Sequence, residues 1–315
     1  MTDNRIPSIS VIIPVYNGGQ TIAPLADKLT QVFAGRPFQI VLINDGSQDD
    51  SAGVCREIVR RFPSAVTFLD LSMNFGEHNA VMAGLRYAKC DYAVIMDDDF
   101  QNPPEEALRL VESADACGHD VVYGVYKKKR HGPLRNLGSL LNSWMAAVLL
   151  KKPRGLYLSS FKCLNRFVIN EITQYHGPYP YIDGLILRCT RRIGTVAVEH
   201  YPRREGRSGY TCSKLIRLWM NMFTNFSVSP LRMSSLLGFC LSGLGMVLSV
   251  FVIAEKILRP HIQVGWASLF IGIMVFSGVQ LIMLGLIGEY IGRLFLSINQ
   301  TPQYVVREVL QPPQT

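Results

Sequence analysis

Tyr92-Ala93-Val94-Ile95-Met96-Asp97-Asp98-Asp99 is an apolar pentapeptide that runs into three consecutive carboxylates. Short apolar runs bounded by polar residues read as buried strands, so the acids stand where a strand leaves its sheet. Open α/β sheets bind their ligands at that rim. Mg²⁺ and Mn²⁺ are hard cations that prefer oxygen. They take one or two carboxylates and complete their shells with water and substrate phosphates. One reading is therefore a metal-bridged diphosphate, and with it a nucleotide-activated substrate. The other is a solvated acidic turn before the helix that opens near Pro103.

Working outward, the same pattern repeats. Ser8 to Val15 is a β-branched run and predicts a first strand, followed by a helix from about Gln20 to Phe33. Phe38 to Ile43 predicts a second strand, and Asp49-Asp50-Ser51 the start of a helix reaching Phe62. Val66 to Leu71, Tyr92 to Met96 and Asp120 to Val125 complete five strands. Helices over Glu77 to Ala88 and from Pro103-Pro104-Glu105-Glu106 alternate with them. Such alternation defines an α/β, Rossmann-like, mostly parallel sheet. No Gly-x-Gly-x-x-Gly or Walker loop is present, which argues against ordinary dinucleotide and ATP sites. Three polar turns then share one sheet edge: Pro14-Val15-Tyr16-Asn17, Asn44-Asp45-Gly46-Ser47 and Asp97-Asp98-Asp99. Tyr16 is a candidate to stack on a base, and Asn44 or Asp45 to bind base or ribose. Each turn alone is also ordinary turn chemistry; their joint placement favours a site.

Charge is unevenly spread. Residues 1–120 carry 9 Lys/Arg against 17 Asp/Glu, whereas residues 121–235 carry 19 against 4. An acidic front suits a metal. A basic middle suits phosphates on a ligand or a membrane surface. The uncharged runs Ser234 to Ala254 (21 residues) and Ile262 to Gly288 (27 residues) each exceed the roughly 20 residues needed to span a bilayer. They point to membrane rather than nucleic acid as the partner. The expected arrangement is two transmembrane helices, about 233–256 and 262–288, forming a hairpin with Glu255 to His261 as its linker. The Lys/Arg-rich flank before the first span places that flank, and both termini, in the cytoplasm. Seven widely spaced cysteines with no Cys-x-x-Cys pair indicate neither a disulfide framework nor a zinc site. The residues MTDNRIPS show no signal-peptide pattern.

Between the two halves, Leu134, Leu137, Leu141, Trp144 and Val148 recur at helical spacing. Arg135, Ser139 and Asn142 form one polar stripe, beside Lys127-Lys128-Lys129-Arg130. This segment either grips a lipid phosphate or lies on anionic membrane, and the two are compatible. Leu215-Ile216-Trp219-Met220-Phe223-Phe226 reads as an interfacial helix. The expected organisation is a soluble domain over 1–212, an interfacial helix over 213–230, the two spans within 231–294 and a C-terminal tail over 295–315.

These pieces together resemble the polyprenyl-phosphate glycosyltransferases of glycosyltransferase family 2. That group includes dolichol-phosphate mannose synthases and undecaprenyl-phosphate sugar transferases, among them the 4-deoxy-4-formamido-L-arabinose transferases. The residues that carry the likeness are SVIIPVYN (10–17), INDGSQDDS (43–51), NFGEHNAVMAG (74–84), MDDDFQNPPEE (96–106), Arg203-x-x-Gly206-x-Ser208, SPLRMSSLLG (229–238) and LGLIGEYIGR (284–293). The resemblance implies a GT-A fold with a metal held by Asp97 and Asp99 and contacted by Gln101. It puts Pro14, Tyr16 and Asp45 on nucleotide-contacting positions, and Asn17, Asn44, Asp97 and Asp98 are further candidates for the nucleotide at the same rim. It places Lys127, Lys129, Arg135, Ser139, Arg203, Arg207 and Ser208 near the lipid phosphate and diphosphate. It further implies a nucleotide-sugar donor (UDP-linked), a polyprenyl phosphate acceptor, inversion at the anomeric carbon, a homotetramer and a bacterial inner-membrane location. Four positions depart from the family pattern: Gly18 for Glu, Tyr126 for Arg, Gly209 for Lys, and Leu156 for the acid before Ser159-Ser160-Phe161-Lys162. With that acid missing, Asp98 and Asp183 are the candidate bases. An acceptor phosphate is already anionic near neutral pH, so no single base is expected to be indispensable. Three other readings compete. A processive polysaccharide synthase would carry Gln-x-x-Arg-Trp, which Arg217-Leu218-Trp219 does not supply. A catalytically dead nucleotide-binding scaffold is disfavoured by the intact acids. A transporter is disfavoured by the absence of charge within either uncharged run.

Overall fold

A computed structural model describes residues 6–126, 153, 156–177, 179–199, 201, 229–258, 265–299 and 301–312. The chain divides into two compact units, Met1–Cys212 with Gln300–Thr315, and Ser213–Asn299.

The first unit is an α/β layer structure. β1 (Ile9–Val15), β2 (Phe38–Asn44), β3 (Val66–Leu71) and β4 (Tyr92–Ile95) alternate with α1 (Ile22–Val32), α2 (Ser51–Arg61), α3 (Glu77–Tyr87) and α4 (Pro104–Cys117). β5 (Val121–Tyr126), β6 (Lys162–Asn165), α5 (Arg166–Thr173), α6 (Ile182–Cys189), β7 (Ile193–Val198) and β8 (Val306–Leu310) complete it. The strands form one sheet in the order β7-β5-β6-β4-β1-β2-β3-β8. The pairs β1–β2, β1–β4, β2–β3 and β5–β7 are parallel. The pairs formed by β6 and β8 are antiparallel. Central strands covered on both faces lose the polar alternation of half-exposed ones. Accordingly Ile9, Val11, Ile12, Ile13 and Val15 are all fully buried.

The chain builds β1, β2 and β3 outward in one direction and then places β4 on the other side of β1. The switch point therefore falls between β1 and β4, where α/β sheets open a ligand crevice. The register Val15↔Asn44 and Ile12↔Ile95 brings the ends of β1, β2 and β4 to the same edge. α3 lies close over β1 and β2 because Gly84 has no side chain; a Cβ there would press on Ile12 Cγ2 and Ile43 Cδ1. α4 begins with Pro104 and two acids in its first turn and ends at Gly118 with φ 64°, as its sequence predicts.

In the second unit α7 (Ser229–Leu258) and α8 (Trp266–Ile298) are helices of 30 and 33 residues. One stretch, Val275–Leu296, is long and apolar enough to cross a membrane by length and composition. The apolar stretch of α7, Ser234–Val247, is shorter. Three expectations are corrected here. Glu255 to Leu258 belong to α7 rather than to a linker, because Glu, Lys and Leu are good helix formers and a charge ends an apolar run without ending a helix. The second span, expected at 262–288, is instead a helix over 266–298 whose apolar window includes Glu289 and Arg293. The tail expected over 295–315 is partly helix to Ile298 and partly β8, which adds to the catalytic sheet beside β3. β8 is short and alternates half-buried with exposed residues; five such residues leave little sequence signal for an edge strand.

Candidate active site

The β1 and β2 turns are stapled together before any ligand is considered. Asn17 has a left-handed backbone, φ 54°. Its amide donates to Ser47 Oγ at 3.0 Å, and its Oδ1 accepts from Gln48 N at 2.8 Å. Gly18 N donates to Ser51 Oγ at 2.9 Å and Gly19 N to Asp49 Oδ2 at 3.1 Å. Asp49 thus works in this staple, while Asp50 takes the N-cap position of α2 without a side-chain cap bond.

Asn44 and Asp45 are nearly fully buried. Asn44 Nδ2 donates to Asp70 Oδ1 at 2.7 Å, and its Oδ1 accepts from Ser47 N at 3.2 Å. Asp45 accepts from Phe75 N at 2.7 Å and Gly76 N at 2.9 Å. Burial pushes the Asp45 carboxyl above its ordinary range, partly offset by those two amide bonds. Both residues stand at the expected rim, and both shape the loops around it: Asn44 sets its own turn and Asp45 anchors the 72–76 loop. Gly46 follows with φ 62°, and a Cβ there would strike the Met73 and Asn74 backbone, so glycine is required on both counts. Tyr16, half exposed at 49%, presents its ring outward at this edge.

The acids leave β4 half-buried, Asp97, Asp98 and Asp99 alike. Ser160 Oγ donates to Asp97 Oδ2 at 3.0 Å. Gln101 N donates to Asp99 Oδ1 at 3.1 Å, which closes the turn. Phe100 between them has φ 57°. Among the described residues, Asn17 and Phe100 are the two non-glycine residues with a left-handed backbone, and both lie in these turns, where strain tends to concentrate at functional sites. Gln101 Nε2 donates to Tyr201 O at 3.4 Å, and Tyr201 N to Gln101 O at 2.9 Å. The acid turn is thereby tied to the segment that precedes Arg203. Among the described residues, no group of three or more Asp, Glu, His or Cys side chains is placed to hold a metal ion by itself. Two accessible carboxylates fit a hard cation that draws its other ligands from water and a diphosphate.

Gly18 has a structural consequence. A Cβ on Gly18 would overlap Asp98 Oδ2, so the middle acid occupies the space over that turn. We expect Gly18→Ala to displace Asp98 and weaken nucleotide binding about tenfold, with little change in melting temperature, as measured by calorimetric titration with UDP.

A buried polar cluster joins β5, β6 and α6. Lys162 pairs with Ile95 and Tyr123 across the strands. Its ammonium forms an ion pair with Asp183, which also accepts from Tyr123 Oη at 2.9 Å. Asp183 is thus a buried, doubly engaged carboxylate, 7% exposed. The His78 and Tyr181 rings meet edge to face with centroids 5.2 Å apart, joining the starts of α3 and α6.

Burial pushes the His78 imidazole down to about 4; Asp183 opposes this and Lys162 reinforces it. A histidine depressed in the folded state stabilises fully above its ordinary value of 6.5 and loses that contribution as pH falls towards about 4. The raised Asp45 carboxyl acts in the opposite sense, favouring the fold as pH falls. We expect His78→Asn to reduce the acid-side fall in melting temperature between about pH 6.5 and pH 4, measured by melting at successive pH values.

Sequence reading missed Ser47, Ser51, Ser160, Lys162 and Tyr123 as site residues. Ser160-Phe161-Lys162 directly follows a recognisable apolar-polar boundary, but a lysine in a strand usually reads as exposed. Lys127, Lys129, Arg135, Ser139, Arg203, Arg207 and Ser208 lie outside the described residues, as do the 133–150 helix and most of the 213–230 interfacial helix.

A switch-point rim with a nucleotide-side turn on β2 and an Asp-x-Asp after β4 is the GT-A arrangement of glycosyltransferases that use nucleotide-diphosphate sugars. The profile of glycosyl transferase family 2 matches residues 10–170, and the chain belongs to that family. It is similar to the undecaprenyl-phosphate 4-deoxy-4-formamido-L-arabinose transferase of Edwardsiella ictaluri (strain 93-146), at 34% identity over 98% of this chain and 96% of the relative. The protein of the same description from Klebsiella pneumoniae (strain 342) is 33% identical, covering 100% and 97%. Among solved structures, glucosyl-3-phosphoglycerate synthase from Mycobacterium tuberculosis in complex with Mn²⁺, UDP-glucose and phosphoglyceric acid superposes with a TM-score of 0.52. That match covers 68% of this chain and 76% of that one at 18% identity, and it is a likeness of fold.

Proposed function

We propose that this glycosyltransferase moves one sugar from a UDP-linked donor to polyprenyl (undecaprenyl) phosphate at the cytoplasmic face of a bacterial inner membrane. The reading is supported above all by one observation: β2, which leads into the Asp45 turn, and β4, which leads into Asp97 and Asp99, flank β1 with their ends at one sheet edge. The near-full-length likeness to undecaprenyl-phosphate sugar transferases supports the acceptor, and α7 and α8 would form the membrane hairpin. A homotetramer is part of the proposal by family likeness.

Asp97 and Asp99 would hold Mg²⁺ or Mn²⁺, with Gln101 nearby. A divalent ion held there would supply positive charge against the leaving diphosphate. Ser160 orients Asp97, and the Gln101 amide orients Asp99. Tyr16 offers a face for the base, and Asp45 and Asn44 hold the loops that shape the nucleotide pocket. Lys127, Lys129, Arg135, Ser139, Arg203, Arg207 and Ser208 would meet the acceptor and donor phosphates. An acceptor phosphate oxygen then bonds to the anomeric carbon from the face opposite the diphosphate. The carbon–oxygen bond to the diphosphate breaks, its electron pair leaves with the nucleotide, and configuration inverts. The nucleophile is already an anion, so positioning and charge neutralisation carry the step. Asp98 and Asp183 can assist without being indispensable.

The acceptor assignment is tested by comparing undecaprenyl phosphate with undecaprenol. Lipid-dependent release of UDP with the phosphate alone supports it; equal release with both would refute it.

A further inference from the structure

The ten residues after α8 do more than cover a sheet edge. Ser72, which opens the loop anchored by Asp45, is held from both sides by this segment. Its amide donates to Val305 O at 2.9 Å, and its carbonyl accepts from Arg307 Nη2 at 3.1 Å. Gln303 is 6% exposed. Its Nε2 donates to Tyr175 O at 2.8 Å and Gly177 O at 2.7 Å, the stretch that leads into Tyr181 and α6. Arg86 on α3 joins the same point, donating to Tyr304 Oη at 2.9 Å and Tyr175 O at 3.2 Å. A third route runs from Glu308. Arg56 Nε donates to Glu308 Oε2 at 2.9 Å, and Arg56 Nη2 to Asp70 Oδ2 at 3.4 Å. Asp70 Oδ1 accepts from Asn44 Nδ2 at 2.7 Å, and Asn44 sets Ser47, which holds Asn17.

An edge strand serving only as a cover needs main-chain pairing and little else. Here the side chains converge on the loops that shape the nucleotide pocket and on the approach to Asp183. We infer that residues 301–310 are a C-terminal strap in which Gln303, Arg307 and Glu308 are positioning residues for the nucleotide-sugar donor. The inference rests on the donor reading above. A fragment lacking the strap would therefore bind donor poorly.

The test uses the full chain in lipid nanodiscs with Gln303→Ala and, as a milder exposed change, Arg307→Ala. Amide hydrogen exchange over residues 72–78 should quicken in both, and UDP affinity measured with Mn²⁺ should weaken about five- to tenfold. KM for undecaprenyl phosphate should stay within twofold, and Arg307→Lys, which keeps a donor towards Ser72 O, should restore UDP affinity. Wild-type UDP affinity in both alanine variants would overturn the inference. So would parallel losses for UDP and acceptor together with the melting temperature, which indicate general unfolding. If the wild-type chain binds no UDP, the donor reading itself fails, and exchange over 72–78 alone decides whether the strap positions these loops.

Discussion

Asp97→Ala and Asp99→Ala should each lower sugar transfer by about a thousandfold or more, with expression, membrane extraction and melting temperature close to wild type. The size follows from what the acids are asked to do. A departing nucleoside diphosphate develops charge that a bound divalent ion and nearby cations must neutralise, and such electrostatic stabilisation commonly contributes several kcal/mol. The fold should tolerate the loss because both acids are half-buried at a rim rather than in the core. Asp98→Asn should be milder, since its place over Gly18 is a packing position that an amide also fills. EDTA should reproduce the double loss in wild type, and added Mg²⁺ or Mn²⁺ should restore wild type but neither alanine variant. Steady-state kinetics with a thermal melt separates the effects; full activity in both alanine variants would remove the metal role.

The second large effect is on stability. Lys162→Met should destabilise the catalytic unit by about 3–5 kcal/mol, because it strands the Asp183 carboxylate in the interior. The Lys162 and Asp183 side chains are only 5% and 10% exposed, so water cannot take over the lost partner. Tyr123 Oη supplies one hydrogen bond to the same carboxylate oxygen, which is too little to offset a full charge. The corresponding fall in melting temperature is roughly 10 °C. Lys162→Met combined with Asp183→Leu should recover most of it, since replacing both members of a buried pair with apolar groups is often near neutral. A single variant as stable as wild type would show that the pair is not desolvated. The same pair bears on catalysis. A carboxylate engaged by both Lys162 and Tyr123 is held in place, which suits a positioning or charge-setting role better than that of a proton acceptor.

The legible parts of this fold were those with strong local patterns. The runs of β1 to β5 are mostly buried, so each appears as a largely apolar segment, and the proline and glycine boundaries of α4 mark its ends. The turns at Asn17, Asn44-Asp45 and Asp97-Asp99 were legible for the same reason, since each follows such a strand. What stayed hidden depends on tertiary contacts. β6 is four residues containing a buried lysine, and no period-2 reading assigns a charged residue to a sheet interior. β8 gains its strand character from β3, more than two hundred residues earlier in the chain. The roles of Ser47, Ser51 and Ser160 are hydrogen bonds across 30, 33 and 63 residues, and serine at a turn carries no sign of its distant partner. Uncharged runs located the apolar helices but not their ends, because α7 and α8 continue through Glu255, Lys256, Glu289 and Arg293.

The central claim is a single sugar transfer to a lipid phosphate. Purified chain in nanodiscs should be incubated with undecaprenyl phosphate, Mn²⁺ and a panel of UDP-sugars, and the lipid then read by mass spectrometry. The account predicts a lipid heavier by one glycosyl unit for at least one donor, with stoichiometric UDP and no product in Asp97→Ala. A ladder of masses from repeated addition, or an unmodified lipid across the whole panel of nucleotide sugars, would contradict it.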